Sequence, residues 1–486
     1  MVDLRSNANI VIAGGGVTGL TAAYRLLENK GSADLRVTVL EASPRLGGSL
    51  LTVQRDGFLF EGGPDAFVAT KPQAKQLCID LGLGDRLIET EPASRHVYFL
   101  RRGKLVRMPE GMVLAVPTRF LPMATSPLFS KLGVARMGLD LLIPKRGGES
   151  DESIASFLGR RLGKEVVEML GEPLLGGIYS GDPARLSIRA TFPQLVELEE
   201  KHGSLVRGAL AMRAQAAKRA LKAGKQPGGP APSAFLALKG GMGELVDALA
   251  TAIRERGGVI HTSTALDSIQ KQEFGFRISS VHAGQASTLQ ADRVLLALPA
   301  AQAARLIDPH APVAARIFRA IPHVSTATCL IAFERKDIAH AMDAAGILIP
   351  KTEGYDASAI TFMSSKWAGR ASEGKALIRV FFGGQAHPEV RGLTDLDLLH
   401  AARETLRSIL GITAEPITAQ VFRWNDCRPQ PVVGHLERLA EARLALAAIP
   451  GLLVAGGAFD GVGIPDCVRQ GAEAAALLRS PASAEN

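Results

Sequence analysis

The stretch Asn9-Ile10-Val11-Ile12-Ala13-Gly14-Gly15-Gly16-Val17-Thr18-Gly19 decides the fold of this 486-residue chain. Its first five residues are a mainly apolar run typical of a buried strand, and the rest is a GxGxxG turn that leads into a helical pattern. In such a unit the first glycine makes the turn, the second lets the backbone approach a diphosphate, and the third lets helix and strand pack closely. The stretch therefore predicts a dinucleotide site at the N-terminus of the first helix.

The next strand of the unit supplies an acidic residue at the expected distance. Residues 36–40 form a second short strand pattern that ends at Glu41, 22 positions after Gly19. A carboxylate there can accept hydrogen bonds from a ribose. Because strand, glycine turn, helix, second strand and acid occur together, the sequence predicts a nucleotide site rather than a turn without a ligand.

Two more glycine clusters follow, Glu41-Ala42-Ser43-Pro44-Arg45-Leu46-Gly47-Gly48 and Phe60-Glu61-Gly62-Gly63-Pro64-Asp65. They resemble the FAD-binding signature of the amine oxidase and phytoene desaturase superfamily. The resemblance implies non-covalent FAD, with the second cluster beside the diphosphate and the third near the isoalloxazine ring. The residues expected to bind this cofactor are Gly14, Gly15, Gly16, Val17, Thr18, Gly19, Glu41, Ala42, Arg45, Gly48, Ser49, Gly62, Gly63, Pro64, Asp65, Ala265, Ala458, Val462, Gly463 and Ile464.

The C-terminal part of the chain repeats the order of strand, glycine turn and helix. Residues 452–455 form the strand pattern, 456–466 the glycine-rich turn, and 467–478 an alanine-rich helical pattern. The superfamily resemblance places this turn at the pyrimidine end of the flavin. A helix N-terminus there would direct its dipole at the flavin C2=O and N1 and stabilise negative charge on the reduced ring.

These patterns predict an α/β fold in which separate parts of the chain build one Rossmann-like FAD-binding domain, beside a mixed-sheet substrate domain and a helical membrane-associating domain. The expected parts are 1–90 (FAD-binding, N-terminal part), 91–213 (substrate and helical membrane-associating region), 214–234 (flexible linker or loop), 235–300 (FAD-binding, middle part), 301–430 (substrate-binding) and 431–486 (FAD-binding, C-terminal part). The linker is expected because it is basic and rich in proline and glycine.

Composition narrows the class of protein. The chain is 47% hydrophobic with a net charge of +8, which allows a large core and an acidic partner. Its four cysteines lie far apart in the sequence, so neither a disulfide framework nor a metal site is predicted. The sequence shows no signal-peptide pattern and no apolar run long enough to span a bilayer. We therefore expect a reduced, cytoplasmic protein.

Residues 101–148 hold most of the net charge. This basic stretch contains nine Lys or Arg residues and two acidic residues, together with the apolar segments 112–117 and 120–123. Cations around an apolar patch suit shallow attachment to an anionic membrane surface, here the inner face of the cell membrane. A helical region with a solvated basic face explains the pattern equally well. Nucleic acid is not expected as a partner, because no binding motif accompanies the charge.

Several segments, in order and over nearly the whole chain, resemble the protoporphyrinogen oxidase family. The most specific is Gly-Val-Gly-Ile-Pro-Asp-Cys at 461–467, supported by segments at 176–183, 197–205 and 433–435. The resemblance implies removal of six electrons from a porphyrinogen at the penultimate step of haem synthesis, with O2 as electron acceptor and hydrogen peroxide as product. We expect a monomer or homodimer, with ferrochelatase as a candidate partner.

The same resemblance implies which residues hold the substrate. Arg95 falls where the family has an arginine that pairs with a propionate, and a guanidinium can bind a carboxylate with two parallel hydrogen bonds. The other expected substrate-binding residues are Gly177, Gly346, Leu348, Phe362 and Phe381. Beyond the flavin, no catalytic group is expected, since hydride transfer mainly needs a dry cavity that holds the substrate carbon against the ring.

Three alternatives to protoporphyrinogen oxidation stay open at this point. Oxidation of coproporphyrinogen III to coproporphyrin III would use the same fold on a substrate with four propionates, and extra cations facing the cavity would favour it. A flavin amine oxidase would need an aromatic cage beside the flavin, and all four tyrosines lie far from the C-terminal turn in sequence. A non-catalytic carrier of FAD or porphyrinogen would bind both molecules without turnover.

Overall fold

The computed structural model of the chain describes residues 8–28, 35–113, 116–148, 150–222 and 233–479. Its strands, numbered in chain order, are β1 Asn9–Ala13, β2 Arg36–Leu40, β3 Thr52–Arg55, β4 Phe58–Glu61, β5 Phe67–Val68, β6 Leu87–Glu89, β7 Val97–Arg101, β8 Lys104–Arg107, β9 Met112–Val113, β10 Val116–Pro117, β11 Phe235–Leu238, β12 Val259–His261, β13 Thr264–Lys271, β14 Phe276–His282, β15 Gln285–Ala291, β16 Arg293–Leu296, β17 His323–Glu334, β18 Gly346–Leu348, β19 Ala357–Phe362, β20 Lys375–Gly383, β21 Thr418–Pro429 and β22 Leu452–Val454.

The α-helices are α1 Val17–Leu27, α2 Pro72–Asp80, α3 Phe120–Thr125, α4 Lys131–Gly138, α5 Ile154–Leu162, α6 Lys164–Val166, α7 Gly176–Tyr179, α8 Ile188–Thr191, α9 Pro193–His202, α10 Leu205–Lys222, α11 Gly243–Glu255, α12 Ala300–Ile307, α13 Pro312–Arg319, α14 Met363–Lys366, α15 Asp395–Leu410, α16 His435–Ala447 and α17 Ile464–Arg479. A π-helix at Val167–Leu175 and short 3₁₀ turns, among them Pro92–Ser94, connect them.

The first glycine turn lies on a five-stranded parallel sheet in the order β12-β2-β1-β16-β22. Both ends of the chain and its middle contribute strands to this layer. Helices α1, α11 and α17 cover one face and α12, α13 and α16 the other, so Ile10, Val11, Ile12 and Ala13 are all buried. A parallel sheet covered on both faces requires such a continuous apolar strand, which is why the N-terminal stretch does not alternate with polar residues.

A seven-stranded mixed sheet in the order β21-β17-β20-β19-β18-β7-β8 forms the second layer. Its neighbouring strands are antiparallel except for the parallel pair β18 and β7. Alternate residues such as Ile347, Ile360 and Val380 lie on one face of the sheet. Helix α15 covers this face with Leu398 and Leu406. The opposite face of this sheet, called the cavity face below, is turned toward the glycine clusters.

Helices α3 to α10 form a third region with its own apolar core. The basic stretch 101–148 enters this region through the strands β8, β9 and β10 before α3 and α4 begin, so it is helical only in its second half. Residues 114 and 115 of its first apolar segment lie outside the described residues. In the described parts of the chain, no helix has the length and apolar character needed to cross a membrane.

The structure differs from the expected linker at 214–234. Helix α10 continues to Lys222, so the first part of that segment is helical rather than flexible. Its many alanines favour a helix, and the Pro/Gly-rich composition that suggested a linker begins only after Lys222. Residues 223–232 lie outside the described residues, and Ser233 is buried with its hydroxyl within 3.2 Å of the Thr90 hydroxyl.

Candidate active site

Close packing holds the first glycine turn between β1 and α1. A Cβ on Gly14 would lie 2.2 Å from the carbonyl oxygen of Ala297, and a Cβ on Gly19 would lie 2.0 Å from that of Gly14. By contrast, a Cβ on Gly16 would have no atom of the described residues within 4 Å. The fold therefore requires Gly14 and Gly19, whereas Gly16 borders an open surface at the N-terminus of α1 that a diphosphate can approach.

The second glycine cluster lies directly against the first. The N–H of Gly47 donates to the carbonyl oxygen of Gly15 at 2.8 Å, and a Cβ on Gly48 would lie 3.5 Å from the Cα of Gly16. Arg45 closes this loop, because its guanidinium donates to the carbonyl oxygen of Gly48 at 2.6 Å. The structure thus brings Arg45 and Gly48 to the open surface and uses Arg45 to fix the shape of the loop.

The third cluster joins the second cluster to the seven-stranded sheet. Gly63 comes so close to Ser49 that a Cβ would lie 1.7 Å from the Ser49 carbonyl oxygen. The N–H of Gly62 donates to the carbonyl oxygen of Leu51 at 2.8 Å. On its other side, a Cβ on Gly62 would lie 2.6 Å from the ring of Phe422 in β21. The third cluster is therefore placed between the nucleotide loops and the cavity face.

Glu41 and Ala265 meet at the end of β2. The Glu41 carboxylate accepts hydrogen bonds from the N–H groups of Gly15 at 2.7 Å and Ser43 at 2.8 Å. A carboxylate has roughly four acceptor positions, so acceptor capacity remains for a ribose. The N–H of Thr264 donates to the Glu41 carbonyl oxygen at 2.8 Å, which places Ala265, the next residue, beside the same loop.

The C-terminal loop 456–463 contains Ala458, Val462 and Gly463, and α17 begins at Ile464. Gln470 fastens this loop, because its side-chain oxygen accepts from the N–H of Gly456 at 3.0 Å and its amide donates to the carbonyl oxygen of Gly461 at 3.3 Å. The sequence interpretation missed Gln470, since one glutamine in an alanine-rich helix belongs to no motif. Its contacts show that α17 and the loop act as one unit.

Three of the expected substrate residues, Gly346, Leu348 and Phe381, lie on the cavity face. In the strand pairing, Leu348 lies opposite Ala359, and Ala359 lies opposite Phe381. Two strands further on, the same row reaches Phe422, whose ring packs against the third glycine cluster. Gly346 precedes Leu348 by two residues and therefore has the same orientation. Apart from Thr328, which lies between Phe381 and Phe422, the row forms an apolar wall beside the third cluster.

Two other expected residues are not in this row. Phe362 is fully buried on the face covered by α15, in the cluster that contains Ile360, and its ring centroid lies 5.5 Å from that of His340. The structure therefore does not bring Phe362 to the cavity face. Gly177 lies in α7, in the helical region.

Arg95 lies between the 3₁₀ turn Pro92–Ser94 and β7, the strand next to β18. Its guanidinium donates to the Glu89 carboxylate at 2.7 Å and to the Thr90 carbonyl oxygen at 3.1 Å. The side chain of Arg95 is 25% exposed and that of Glu89 is 53% exposed. A substrate carboxylate at Arg95 would therefore share the guanidinium with Glu89.

Asp65, at the end of the third cluster, lies in a buried group of charges. Its Oδ2 accepts from Lys366 Nζ and from Trp367 Nε1, both at 2.7 Å, and Arg379 Nη1 lies 3.9 Å from its Oδ1. Burial alone would raise the pKa of Asp65, but Lys366 and Arg379 together hold it well below its usual range. Burial also lowers the pKa of Arg379, to about 10. Asp65 is therefore fully ionised, and its charge is stabilised by Lys366 and Arg379.

Glu61, at the start of the third cluster, is a second buried carboxyl group. It accepts from the hydroxyl of Thr52 and from the N–H of Met242, both at 2.8 Å, and Arg370 lies 3.9 Å away. Burial raises the pKa of Glu61 to about 7, and the Thr52 and Met242 hydrogen bonds and Arg370 oppose the rise. Glu61 thus links the third cluster to the segment before α11, and its protonation state changes near neutral pH.

Comparison with known proteins identifies the family. The flavin containing amine oxidoreductase family matches residues 17–479, nearly the whole described chain. The chain belongs to this family. The resemblance carried by the glycine clusters is therefore confirmed, and so is the mixed α/β fold, whereas membrane attachment stays a prediction.

Individual relatives of this flavin containing amine oxidoreductase are similar over most of their lengths. A coproporphyrinogen III oxidase of Propionibacterium freudenreichii is 38% identical, over 95% of this chain and 89% of the relative. A coproporphyrinogen III oxidase of Bacillus subtilis is 35% identical, over 95% and 96% of the two chains. A crystal structure from Exiguobacterium, provisionally named protoporphyrinogen oxidase, has a TM-score of 0.83 and 32% identity, over 97% of this chain and 98% of that one.

The residues of this family member fit FAD, its cofactor. The open surface at Gly16 and the N-terminus of α1 would hold the diphosphate, and Glu41 would hold a ribose. The third cluster and the loop 456–463 would border the flavin ring. When bound, FAD supplies an acceptor for two electrons at a time. The chain is therefore an FAD-dependent oxidoreductase.

Proposed function

We propose that this enzyme oxidises coproporphyrinogen III to coproporphyrin III, with O2 as the final electron acceptor. The observation that carries the proposal is the apolar row of Leu348, Ala359 and Phe381 beside the third glycine cluster, with Arg95 near its edge. An apolar macrocycle with carboxylates at its rim fits a wall of this kind. The names of the two bacterial relatives described above support this substrate.

The reaction removes six electrons and six protons from the porphyrinogen. Three two-electron steps pass these electrons to three molecules of O2, which become three molecules of H2O2. In each step the chain holds a substrate carbon in a fixed position against the flavin ring and keeps water away. Leu348, Ala359 and Phe381 serve the second task, because none of these three side chains can hydrogen-bond to water.

Protoporphyrinogen IX is the second candidate substrate, favoured by the provisional name of the Exiguobacterium structure. It has two propionates, whereas coproporphyrinogen III has four. The two candidates therefore differ in how many cations the site must offer, rather than in the redox chemistry.

Oxidation of both porphyrinogens by the purified FAD-loaded protein tests the proposal. We expect porphyrin fluorescence to rise with three O2 consumed per porphyrin formed, and kcat/KM to be higher for coproporphyrinogen III. Because porphyrinogens also oxidise slowly in air, a Gly16→Val protein without flavin provides the control. Rates equal to this control for both substrates would contradict the proposed function.

Shallow attachment to an anionic membrane surface is a further part of the proposal. Within the basic stretch, Leu121, Leu132 and Leu142 are 77%, 84% and 79% exposed. Large apolar side chains this exposed, among an excess of cations, form the two components of an interfacial anchor. Binding to anionic vesicles at low and at high salt separates the two components.

A further inference from the structure

Cations outnumber carboxylates where the third glycine cluster meets the seven-stranded sheet. Asp65 pairs with Lys366 at 2.7 Å and lies 3.9 Å from Arg379, while Glu61 lies 3.9 Å from Arg370. Asp65 thus has one short ion pair, with Lys366, and Arg379 is left with a longer contact. Burial of a cation without a close anion is costly, so this excess indicates a binding site for negative charge.

Arg379 lies on β20, two residues before Phe381, and so points to the cavity face. Its side chain is only 2% exposed, and its Nε has no hydrogen-bond partner among the described residues. Its Nη2 donates to the carbonyl oxygen of Gly62 at 3.4 Å, and its guanidinium carbon lies 4.5 Å from the centroid of the Phe381 ring. The guanidinium is therefore fixed in place with part of its donor capacity unused.

Arg428 lies near the end of β21, on the same side of the site. Its Nη1 donates to the carbonyl oxygen of Ile178 in α7, at 3.2 Å, next to Gly177. Among the described residues, no carboxylate lies within 4 Å of its guanidinium. Burial lowers the pKa of Arg428, and the charge of Arg428 in turn lowers the pKa of Arg379. Arg428 is thus a second cation without a close carboxylate in the described part of the chain, carried by the edge strand β21 of the sheet.

We propose that Arg428 binds a propionate of the substrate at the end of the cavity face opposite Arg95, with Arg379 further along the same face. The diphosphate of FAD is already accounted for by Gly16 and the N-terminus of α1, so the anion at Arg428 comes from the substrate. A planar guanidinium suits a carboxylate, because it offers two parallel donors.

The strand order explains why Arg428 distinguishes the two candidate substrates. Strand β21, which carries Arg428, is the first of the seven strands, whereas β7, which follows Arg95, is the sixth. Protoporphyrinogen IX has its two propionates on neighbouring pyrrole rings, so they lie on one side of the macrocycle. Coproporphyrinogen III has one on every ring and can place carboxylates at both ends of the face. Arg428 is therefore the residue that favours the tetracarboxylate, an inference that rests on the proposed function.

Substitution of Arg428 tests this inference in the FAD-loaded enzyme. The variants are Arg428→Gln, which removes the charge, and Arg428→Lys, which keeps the charge without the two-pronged geometry. Arg423→Gln is the matched control, because Arg423 lies on the same strand but on the other face, paired with Asp395 at 2.6 Å. Flavin content and melting temperature are measured for each variant, together with the affinity for the two oxidised porphyrins by fluorescence.

For Arg428→Gln we expect KM for coproporphyrinogen III and Kd for coproporphyrin III to rise about tenfold or more, because a partly buried ion pair is lost. The corresponding values for protoporphyrinogen IX and protoporphyrin IX should change less than about twofold, and kcat should fall little, since the contact is remote from the reacting carbon. Arg428→Lys should recover part of the affinity, and Arg423→Gln should behave as wild type.

The outcomes separate this inference from the proposed function. Equal losses for both substrates, or no loss for either, in folded and flavin-loaded Arg428 variants would overturn the role of Arg428 alone. Wild-type protein that oxidises neither porphyrinogen would overturn the proposed function and this inference with it. If Arg428→Gln does not fold, the ratio of the two KM values in Arg428→Lys decides, because an unchanged ratio would contradict the inference.

Discussion

The carbonyl oxygen of Gly14 occupies the space that a Cβ on Gly19 would need, with only 2.0 Å between them. Helix α1 can reach the end of β1 in this way only when residue 19 is glycine. Gly16 lies between these two residues in the chain, yet its own Cβ position is open. The turn therefore contains glycines with different tasks, one set for the fold and one for the cofactor.

Gly16→Val should fold normally and lose FAD, because the added side chain meets no protein atoms and fills the path of the diphosphate. Gly19→Ala should instead destabilise the protein by roughly 3 kcal/mol or more, since the clash is with backbone. Flavin absorbance and urea denaturation of the two variants check this difference. Wild-type protein should release all its flavin on denaturation, as expected for non-covalent FAD. A Gly16→Val protein that retains full flavin would contradict the assignment.

Arg95→Ala should raise KM for the porphyrinogen about tenfold or more while kcat falls less. The reason is that a propionate lies far from the carbon that loses hydride, so the contact stabilises ground state and transition state alike. Removing Arg95 leaves Glu89, which is 53% exposed and needs no buried partner, so stability should change little. Arg95→Lys should recover part of the affinity. An unchanged KM with intact flavin would show that Arg95 does not hold the propionate.

Glu61 should make stability fall as pH rises toward neutral. Burial raises its folded-state pKa from 4.5 to about 7, so between these values the folded chain holds a proton that the unfolded chain has lost. The contribution of Glu61 is complete below about pH 4.5 and is lost as pH rises through about 7, a difference of roughly 3 kcal/mol. Glu61→Gln should remove this decline.

Urea denaturation of wild type and Glu61→Gln at pH 5 and pH 8 provides the measurement. All other titrating groups are common to both proteins, so the difference between their pH dependences reports Glu61 alone. Thr52→Val is a useful second variant, because it removes a hydrogen bond to Glu61 and should raise the pKa further. Parallel pH dependences of wild type and Glu61→Gln would contradict the prediction.

The glycine clusters could be recognised from sequence because their constraints are local. Gly14, Gly19 and Glu41 act within one strand-turn-helix-strand unit, so their spacing alone predicts their positions. Leu348 and Phe381 required the family resemblance, since each by itself is typical of an ordinary core residue. The sequence therefore predicts the nucleotide site and the physical role of its glycines. It predicts only part of the substrate site.

The residues that sequence reasoning missed or did not place depend on contacts between distant parts of the chain. Arg379 and Arg428 come to one sheet only when β20 and β21 both pair with β17, and neither belongs to a motif. The orientation of Phe362 follows from its pairing with Ile378, which lies on the face covered by α15, whereas Phe381 lies an odd number of residues further along β20 and points to the cavity face. A shift of one residue turns side chains to the other face, and sequence spacing does not reveal such a shift.

Leu132→Ser combined with Leu142→Ser should weaken binding to anionic vesicles without affecting FAD or stability. Each leucine is more than three-quarters exposed, so its loss removes no core packing, while burial of its side chain in a membrane would contribute roughly 1.5 kcal/mol or more. Wild type should sediment with the vesicles at low salt and be partly released at high salt, because each cation contributes on the order of 1 kcal/mol and is screened. Leu444→Ser is the matched control, since Leu444 is 76% exposed on α16, outside the basic stretch. Absence of binding at low salt, or an equal loss in Leu444→Ser, would reject attachment through this surface.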